Sequence, residues 1–300
     1  MKVMIVGNKG QLGSDSEKVL GNYEILGVDL AELDMTKLAA VETMVQNFAP
    51  DVILNCAAFT RVDACETQKE LAWAVNVKGP QNLAVCARKY DSRLLHVSTD
   101  YVFDGIREIP LPYVENDEPR PRSHYGLTKL EGETAVQGAM DRYMIVRTAW
   151  MYGIHGQNFL KTMLRLAVNK PDTEIKVIND QHGSPTWSYR LAQQILKLIE
   201  NNAQGTFHAT AEGHCTWYEL AKYFLEKMDV PHKLVPCSSE EYLLPAARPK
   251  NSILENRHLK TENINVMKFW REDVDALATG FRDQLIDEAM SGDLPLTLPN

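Results

Sequence analysis

The chain opens with the stretch Lys2–Gly13, KVMIVGNKGQLG, in which a short apolar run meets a glycine-rich turn. The run Lys2–Val6 has the length and composition of a buried strand. Gly7, Gly10 and Gly13 follow it in a Gly-x-x-Gly-x-x-Gly spacing that opens a helical pattern. Such glycines let backbone N–H groups approach phosphate oxygens, and a helix N-terminus adds partial positive charge. The stretch therefore predicts a pyrophosphate site, while the alternative, a turn with no ligand, stays open.

Short apolar runs and helical patterns continue to alternate as far as about residue 150. Strands are predicted at Lys2–Val6, Tyr23–Val28, Val52–Asn55, Leu94–Ser98 and Tyr143–Arg147. Helices are predicted near Gln11–Leu20, Thr36–Phe48, Asn76–Tyr90 and His124–Gln137. This alternation is typical of an α/β fold, here a Rossmann-type doubly wound parallel sheet with helices on both faces.

The second half of the chain has a looser pattern. It contains predicted helices at Asn158–Val168, Tyr189–Glu200 and Thr216–Met228, and predicted strands at Glu174–Ile178 and Thr206–Ala209. The tail from Pro231 is rich in proline and polar residues, which predicts a smaller, loop-rich domain. We expect residues 1–150 to form the dinucleotide-binding domain, joined by parts of 174–205, and residues 151–300 to form mainly the substrate-binding domain.

Composition excludes several classes of protein. The chain has 300 residues with 32 Lys plus Arg against 40 Asp plus Glu, a net charge of −8 that argues against nucleic acid as the main partner. No apolar run approaches the length of a membrane span, and the start does not resemble a signal peptide, so we expect a cytoplasmic protein that does not bind membranes. The five cysteines are widely spaced and form no Cys-x-x-Cys pair, which indicates reduced thiols and no zinc site.

Two further strand ends carry residues suited to a dinucleotide. Asp29 ends the second predicted strand, where a carboxylate can accept the adenosine ribose hydroxyls and would repel a 2′-phosphate. Asp34 follows it and is either a helix cap or a second contact near the adenine. The third strand ends in Asn55-Cys56-Ala57-Ala58, whose small side chains leave room for a flat cofactor or serve close packing.

A tyrosine and a lysine four residues apart begin the fourth predicted helix. Tyr125 and Lys129 project from one helix face at this spacing, although the same pair is common on amphipathic helices. A free phenol has a pKa of about 10, and a neighbouring ammonium lowers it. Tyr125 can thus donate a proton to a carbonyl oxygen during reduction, while Lys129 tunes the phenol and holds the nicotinamide ribose. Ser98 and Thr99 end the preceding strand, at the edge where the glycine turn is expected, and either hydroxyl could share the substrate oxygen.

The predicted cofactor contacts form one set around these motifs. They are Gly7, Gly10, Gln11, Leu12, Gly13, Asp29, Asp34, Met35, Cys56, Ala57, Ala58, Tyr125 and Lys129.

In these motifs the chain resembles the extended short-chain dehydrogenase/reductase family and, within it, the dTDP-4-dehydrorhamnose reductases over nearly its whole length. The resemblance rests on residues 7–13, 55–58, 62–66 (VDACE), 98–105 (STDYVFDG), 125–133 (YGLTKLEGE), 146–153 (VRTAWMYG), 179–186 (NDQHGSPT) and 247–252 (ARPKNS). The glycine turn and the Tyr-x-x-x-Lys segment occur across the superfamily, whereas the STDYVF, RTAW and NDQ-x-G-x-PT segments are more specific.

The resemblance implies reduction of the C4 ketone of dTDP-4-dehydro-L-rhamnose by NADPH or NADH. Tyr125 would be the proton donor, Thr99 would tune the transfer and Lys129 would hold the ribose. The sugar would lie near Thr99, Asp100, Tyr101 and Trp150. The indole of Trp150 can cover an apolar sugar face or be an ordinary core aromatic.

Several assignments stay open at this level. Arg248 offers a planar fork suited to a diphosphate but could equally form a surface salt bridge. The side chains of four residues near 180 either line the cleft or satisfy a buried loop; they are Asn179, Gln181, Ser184 and Thr186. The cofactor preference is also open, since Asp29 favours NADH and Lys9 could meet a 2′-phosphate.

Some members of the family bind magnesium through carboxylates at a subunit interface. Asp15 could serve as one of them, but Trp187–Arg190 supplies no second acid, so we expect no metal. We expect a monomer or homodimer whose partner is a nucleotide-sugar substrate. The rival hypotheses are a reductase of another nucleotide-linked 4-ketosugar and a non-catalytic NADP-binding regulatory subunit like the beta subunit of methionine adenosyltransferase.

Overall fold

A computed structural model describes residues 1–241 and 245–291. Within these residues a six-stranded sheet forms the centre of the fold, in the order β10-β5-β4-β3-β1-β2, and every neighbouring pair is parallel. The predicted doubly wound α/β fold is confirmed. The strands of the structure are β1 Lys2–Val6, β2 Glu24–Val28, β3 Val52–Asn55, β4 Arg93–Thr99, β5 Tyr143–Thr148, β6 Met151–Tyr152, β7 Glu174–Ile178, β8 His182–Gly183, β9 Thr186–Trp187, β10 Gly205–His208, β11 Cys215–Thr216, β12 Lys233–Cys237 and β13 Asn251–Ser252.

Helices cover both faces of the central sheet. They are α1 Gln11–Val19, α2 Leu38–Phe48, α3 Val62–Thr67, α4 Lys69–Trp73, α5 Gly79–Lys89, α6 His124–Ala139, α7 Phe159–Asn169, α8 Ser188–Glu200, α9 Trp217–Lys227, α10 Arg257–Thr261 and α11 Trp270–Ser291, with a π-helical turn at Ala74–Lys78 between α4 and α5.

Alternate residues of β1 show why the sheet needs cover on both sides. Val3 and Ile5 belong to an apolar cluster with residues of α1 and α8, and Met4 and Val6 belong to a second cluster with residues of α2 and α5. All four are buried. The uninterrupted apolar run at the start of the chain is therefore the pattern of a strand buried on both faces.

The sheet extends beyond residue 150 of the chain. β10 pairs in parallel with β5, and α8 packs against α1. The predicted strand at Thr206–Ala209 and the predicted helix at Tyr189–Glu200 are thus confirmed as elements, within a residue of their observed bounds. Strand β7, by contrast, pairs with β12 in a separate two-stranded sheet.

The tail is more regular than the sequence predicts. Residues 270–291 form the long helix α11, which bends at Phe281 and packs on α7 and α9. Trp270, Val274 and Leu277 bury its inner face in an apolar cluster separate from those of the central sheet. The prediction of a loop-rich tail was wrong here, because the prolines that motivated it lie before this helix.

No helix of the described residues is long and apolar enough to cross a bilayer.

Candidate active site

The glycine turn brings the N-terminus of α1 to the carboxyl edge of the sheet. Gly7 has φ of +82°, and a Cβ there would lie 2.8 Å from the Ala57 nitrogen. A Cβ on Gly13 would lie 2.1 Å from the Gly7 carbonyl oxygen, so two of the glycines are required by close packing. Gly10 is the N-cap of α1, which has no side-chain cap and no acidic residue in its first turn. The first amides of the helix therefore suit an anionic ligand.

Asp29 lies beside this turn, and Lys9 is paired with the nearby carboxylate of Glu32, which raises the pKa of the lysine. The Lys9 backbone N–H donates to Asp29 Oδ2 at 3.3 Å, and Lys9 Nζ lies 2.9 Å from Glu32 Oε1. The Asp29 backbone N–H donates to Glu32 Oε2 at 3.0 Å. Two carboxylates and one ammonium thus occupy the rim where the sequence predicts the adenosine ribose.

Asp34 and Met35 do not line the cleft, in contrast to the predicted cofactor set. Asp34 Oδ1 accepts hydrogen bonds from the backbone N–H and the hydroxyl of Thr36, at 3.0 and 2.6 Å. Met35 is 5% exposed and packs in the apolar cluster that includes α2 and α5, against Gly79. Asp34 therefore closes a turn before α2, whose N-cap is Lys37 and has no side-chain cap, so neither the helix-cap nor the adenine alternative is supported, and Met35 has a core role.

One cleft of about 670 Å³ joins the glycine turn to the predicted catalytic residues. Its lining includes Gly7, Gly10, Gln11, Leu12, Gly13, Asp29, Cys56, Ala57, Ala58, Thr99, Asp100, Tyr101, Tyr125, Lys129, Trp150 and Arg248. The second half of the chain adds residues that the sequence analysis did not single out, among them Asn158, Phe159, Lys176 and Trp217. The predicted cofactor, catalytic and substrate residues thus meet in one place, apart from Asp34 and Met35.

Helix α6 presents three polar residues at successive turns of one buried face, namely Tyr125, Lys129 and Glu133. Ser123 caps the helix by accepting a hydrogen bond from the Gly126 N–H at 3.1 Å. A Cβ on Gly126 would lie 2.2 Å from the Tyr101 carbonyl oxygen, so the helix start is pressed against the end of β4. This close approach brings the Tyr125 phenol to the strand-edge hydroxyls.

Lys129 is held deep in the sheet edge. Its Nζ donates to the Val97 carbonyl oxygen at 2.6 Å and lies 3.5 Å from His96 Nε2. Burial lowers the pKa of Lys129 from 10.5 to about 8, and burial together with the Lys129 charge lowers the pKa of His96 well below 6.5. His96 is therefore neutral at physiological pH, and Lys129 is the cation at the base of the cleft.

Tyr125 keeps its proton in this environment. Burial raises the pKa of the phenol, while hydrogen bonding with the Thr99 side chain lowers it in part. The Tyr101 ring meets the Tyr125 ring edge to face, with centroids 5.5 Å apart. The net direction is opposite to the one expected from a nearby Lys129 alone, because desolvation of the phenolate outweighs the other contributions.

The two hydroxyls at the end of β4 have different partners. Ser98 Oγ donates to Glu133 Oε1 at 2.5 Å, whereas Thr99 Oγ1 donates to Asp100 Oδ1 at 2.9 Å and accepts from the Tyr101 N–H at 3.2 Å. Burial raises the pKa of Asp100 to about 6. Of the two residues that sequence analysis left open, Thr99 is the one whose hydroxyl meets Tyr125.

Trp150 is stacked on a second indole. The ring centroids of Trp150 and Trp217 are 3.6 Å apart with planes 8° from parallel, and both rings line the cleft. Trp150 has φ of +47°, and a Cβ on Gly183 would lie 2.4 Å from its ring. A bulky residue in the left-handed region is uncommon, so the surrounding contacts hold it there. Trp217 was missed because a tryptophan at a helix start has no sequence signal of its own.

Arg248 forms a paired bridge across the cleft rim to α3. Its Nη1 and Nη2 donate to the two oxygens of Asp63, both at 2.9 Å, and the Ala246 N–H donates to Asp63 Oδ1 at 3.0 Å. The structure therefore shows an ion pair at this position. Arg248 also lines the cleft.

The polar residues near 180 divide between the two alternatives. Gln181 lines the cleft. The others bond within the protein: Asn179 Oδ1 accepts from Thr216 Oγ1 at 2.7 Å, Ser184 Oγ donates to the Gly213 carbonyl at 2.9 Å, and Thr186 Oγ1 donates to the Ser184 carbonyl at 3.1 Å.

Asp15 contacts α8 directly. Its Oδ2 accepts a hydrogen bond from Ser188 Oγ at 2.5 Å, and burial raises its pKa. His155 Nε2 lies 3.9 Å from Asp15 Oδ1. Across residues 1–241 and 245–291 no cluster of His, Cys, Asp and Glu could hold a metal ion. The absence of a metal stays a prediction.

Comparison with known proteins identifies relatives over most of the chain. Residues 1–282 match the family model described as RmlD substrate binding domain. A dTDP-4-dehydrorhamnose reductase of Aggregatibacter actinomycetemcomitans is 38% identical over 269 residues, which cover 85% of this chain and 90% of the relative.

Solved structures agree with this match. A dTDP-4-dehydrorhamnose reductase from Clostridium acetobutylicum has a TM-score of 0.90 and 41% identity, covering 94% of this chain and 100% of its own. The Bacillus anthracis protein of the same name, solved in complex with NADP, has a TM-score of 0.90 and 38% identity, covering 93% of this chain and 99% of its own.

Proposed function

Because the chain belongs to the dTDP-4-dehydrorhamnose reductase family, we propose that it reduces the C4 ketone of dTDP-4-dehydro-L-rhamnose to dTDP-L-rhamnose, with NADPH or NADH as the reductant. The observation that carries the proposal is the meeting of Thr99, Tyr125 and Lys129 with the glycine turn in one cleft. A family match alone gives no roles to residues, whereas this cleft places a proton donor, a cation and a phosphate-binding turn together.

The glycine turn and the ends of β1, β2 and β3 form the proposed dinucleotide site. The free amides of α1 bind the pyrophosphate, and Asp29 accepts the adenosine ribose hydroxyls. Ala57 and Ala58 leave room for the flat rings, and Lys129 binds the nicotinamide ribose. The bound dinucleotide supplies the hydride that adds to C4.

Tyr125 provides the proton that the ketone oxygen needs as it becomes an alkoxide. The raised pKa of the phenol keeps it protonated at neutral pH, which suits the donor in the direction of reduction. Thr99 orients the phenol, and the Lys129 charge stabilises the negative charge that develops on the oxygens. Burial of all three side chains excludes water, which strengthens these interactions.

The sugar and its diphosphate occupy the rest of the cleft. We place the sugar between Tyr125 and the stacked indoles of Trp150 and Trp217, with Asp100 and Tyr101 beside it. The Arg248 guanidinium lies at the rim, where its remaining donors can meet a phosphate oxygen while Asp63 holds the fork in place.

We place the dinucleotide in residues 1–150 together with α8 and β10, and the nucleotide sugar mainly against the remaining residues. We also propose that the enzyme works in the cytoplasm as a monomer or homodimer. The cysteines Cys56, Cys65, Cys86, Cys215 and Cys237 are all free thiols, which suits a reducing compartment. Light scattering of the purified chain measures its oligomeric state.

A substrate panel tests the function. Oxidation of NADPH and of NADH by the purified chain is followed with dTDP-4-dehydro-L-rhamnose and with other nucleotide-linked 4-ketosugars. We expect the highest kcat/KM with the dTDP-4-dehydrorhamnose substrate. A higher value with another sugar would reassign the substrate, and dinucleotide binding without turnover of any ketosugar would favour the regulatory-subunit alternative.

A further inference from the structure

The hydroxyl of Thr99 lies between the Tyr125 phenol and a buried acid, Asp100. Hydrogen bonding with the Thr99 side chain offsets part of the rise in the pKa of the Tyr125 phenol, and both side chains line the cleft. Thr99 Oγ1 bonds Asp100 Oδ1 at 2.9 Å. A hydroxyl between two such groups can accept a proton from one and donate its own to the other, because its O–H rotates.

Asp100 is unusual among the carboxylates of the cleft. It is 3% exposed, and its Oδ2 has no hydrogen-bond partner within the described residues. Ser252 of β13 nevertheless lies close enough to lower the pKa of Asp100. A buried carboxylate that lacks a counterion takes up a proton more readily. The pKa of about 6 is consistent with this environment.

Among the described residues no cation is paired with Asp100, whose pKa is set by burial and by hydrogen bonds. Tyr101 on its own turn and Tyr125 from α6 are the titratable groups whose pKa values its charge raises. The Arg248 guanidinium influences Tyr101, but its fork is bound to Asp63. Two other polar side chains at this sheet edge have partners of their own, since Ser98 bonds Glu133 and Lys129 bonds the Val97 carbonyl.

We propose that Asp100, which lies beside the sugar in the proposed complex, also resupplies the proton of Tyr125 through the Thr99 hydroxyl. The inference rests on the proposed ketone reduction. As hydride from the reduced nicotinamide dinucleotide forms the C4–H bond, the Tyr125 O–H bond breaks and the new O–H bond forms on the substrate oxygen. The Thr99 proton passes to the Tyr125 oxygen, and the Asp100 proton passes to Thr99 Oγ1. The ketone has gained one hydride and one proton, and Asp100, left as a carboxylate, is reprotonated from solvent.

Asp100→Asn removes the acid while keeping the shape and the hydrogen bond from Thr99. For the wild type we expect kcat to fall as the pH rises through the Asp100 pKa, because the relay needs the protonated acid. For Asp100→Asn we expect kcat about a hundredfold lower at low pH and nearly independent of pH, so that the two profiles converge at high pH. A purely structural loss would lower kcat by the same factor at every pH.

The Thr99 link is tested with a conservative pair of variants. Thr99→Ser keeps the hydroxyl and should keep the pH-dependent limb, whereas Thr99→Val should remove it. Because the steps occur in series, the double variant Thr99→Val/Asp100→Asn should be no slower than Thr99→Val. Losses that multiply in the double variant would overturn the relay.

A readout besides turnover comes from infrared difference spectra of the protein between about pH 5 and about pH 8. The wild type should show a carboxylic acid band that disappears across this range, and Asp100→Asn should lack it. Asp141→Asn, an exposed position outside the cleft, is the charge-matched control and should keep both the band and the pH profile.

The outcomes separate the relay from the proposed function. Unchanged kcat and pH profile in Asp100→Asn, or a loss confined to KM for the sugar, would overturn the relay while the wild type still reduces a ketosugar. A wild-type chain that turns over no nucleotide-linked ketosugar would overturn the proposed function and the relay with it.

Discussion

At the scale of single residues, the proposed chemistry depends on atoms that burial has deprived of water. Tyr125, Thr99 and Lys129 are each less than a tenth exposed, and each has a defined partner at the end of β4. A phenol in such a place holds its proton, and an ammonium holds it less firmly, because the same desolvation disfavours both charged forms. The same desolvation therefore raises the pKa of the proton donor Tyr125 and lowers the pKa of the cation Lys129.

Replacing Tyr125 by Phe removes the donated proton and little else. We expect kcat to fall by a factor of about 100 to 10,000, with the Kd for the dinucleotide nearly unchanged. Steady-state kinetics and fluorescence titration with the reduced cofactor measure the two quantities. Turnover close to the wild-type value would reject Tyr125 as the donor.

Asp29 sets the expectation for cofactor preference. Removing its carboxylate in Asp29→Ala deletes the acceptor for the ribose hydroxyls, so NADH should bind more weakly by about tenfold, and NADPH should lose less. Glu32→Gln is the companion variant: it frees Lys9 of its partner and should strengthen NADPH binding alone. Equal weakening of both cofactors by Asp29→Ala would place Asp29 away from the ribose.

At the scale of elements, α6 carries the reactive groups and is fastened to the sheet by a buried ion pair. Glu133, two turns after Tyr125, receives bonds from Arg147 of β5 at 2.7 and 3.0 Å and from Ser98 of β4 at 2.5 Å. Both charged side chains are almost fully buried. The pair therefore fixes the helix against two neighbouring strand ends, just where Thr99 and Lys129 must meet Tyr125.

Glu133→Gln leaves the Arg147 guanidinium buried without its counterion. The free energy of unfolding should fall by about 3 to 5 kcal/mol, because an uncompensated buried charge is costly. Urea denaturation followed by circular dichroism measures the change. Glu131→Gln on the same helix, about 200° away around the axis, is the control and should shift stability by less than about 0.5 kcal/mol. Equal effects of the two variants would contradict the role of the pair.

How far these elements were predictable depends on whether their signal is local. The strand Lys2–Val6 and the helix around Tyr125 follow from a run of apolar residues and a spacing of four, so both were found from sequence. Helix α11 and the place of the Trp217 ring in the cleft were not predicted, since each depends on contacts with distant parts of the chain. Met35 was misplaced for the same reason, because a residue at a strand–helix junction can face the cleft or the core.

At the scale of the whole molecule, the buried charge of Lys129 in the proposed site lowers the stability of the folded chain. Burial lowers the pKa of Lys129 from 10.5 to about 8, so the unfolded chain binds a proton more tightly than the folded one. Stability from this group is therefore smallest below about pH 8 and rises with pH until the unfolded lysine also deprotonates. The cost of the buried charge at neutral pH is about 3 kcal/mol.

Lys129→Met should reveal this cost in unfolding experiments. The wild type should gain about 3 kcal/mol in free energy of unfolding as the pH rises from 8 to 10.5, and the variant should not gain it. The stability of the variant minus that of the wild type should therefore be higher at neutral pH than at pH 10.5 by this amount. Turnover and dinucleotide binding should both weaken. A difference in stability that stays constant with pH would show that Lys129 titrates normally in the folded chain.

The stacked indoles have a consequence for optical spectroscopy. Two chromophores held face to face with centroids 3.6 Å apart share their electronic excitation, so Trp150 and Trp217 should produce a paired positive and negative band in ultraviolet circular dichroism. Trp217→Phe would abolish that couplet. Since both rings line the cleft, a sugar entering beside them would alter its amplitude, and the protein would report occupancy without any added label.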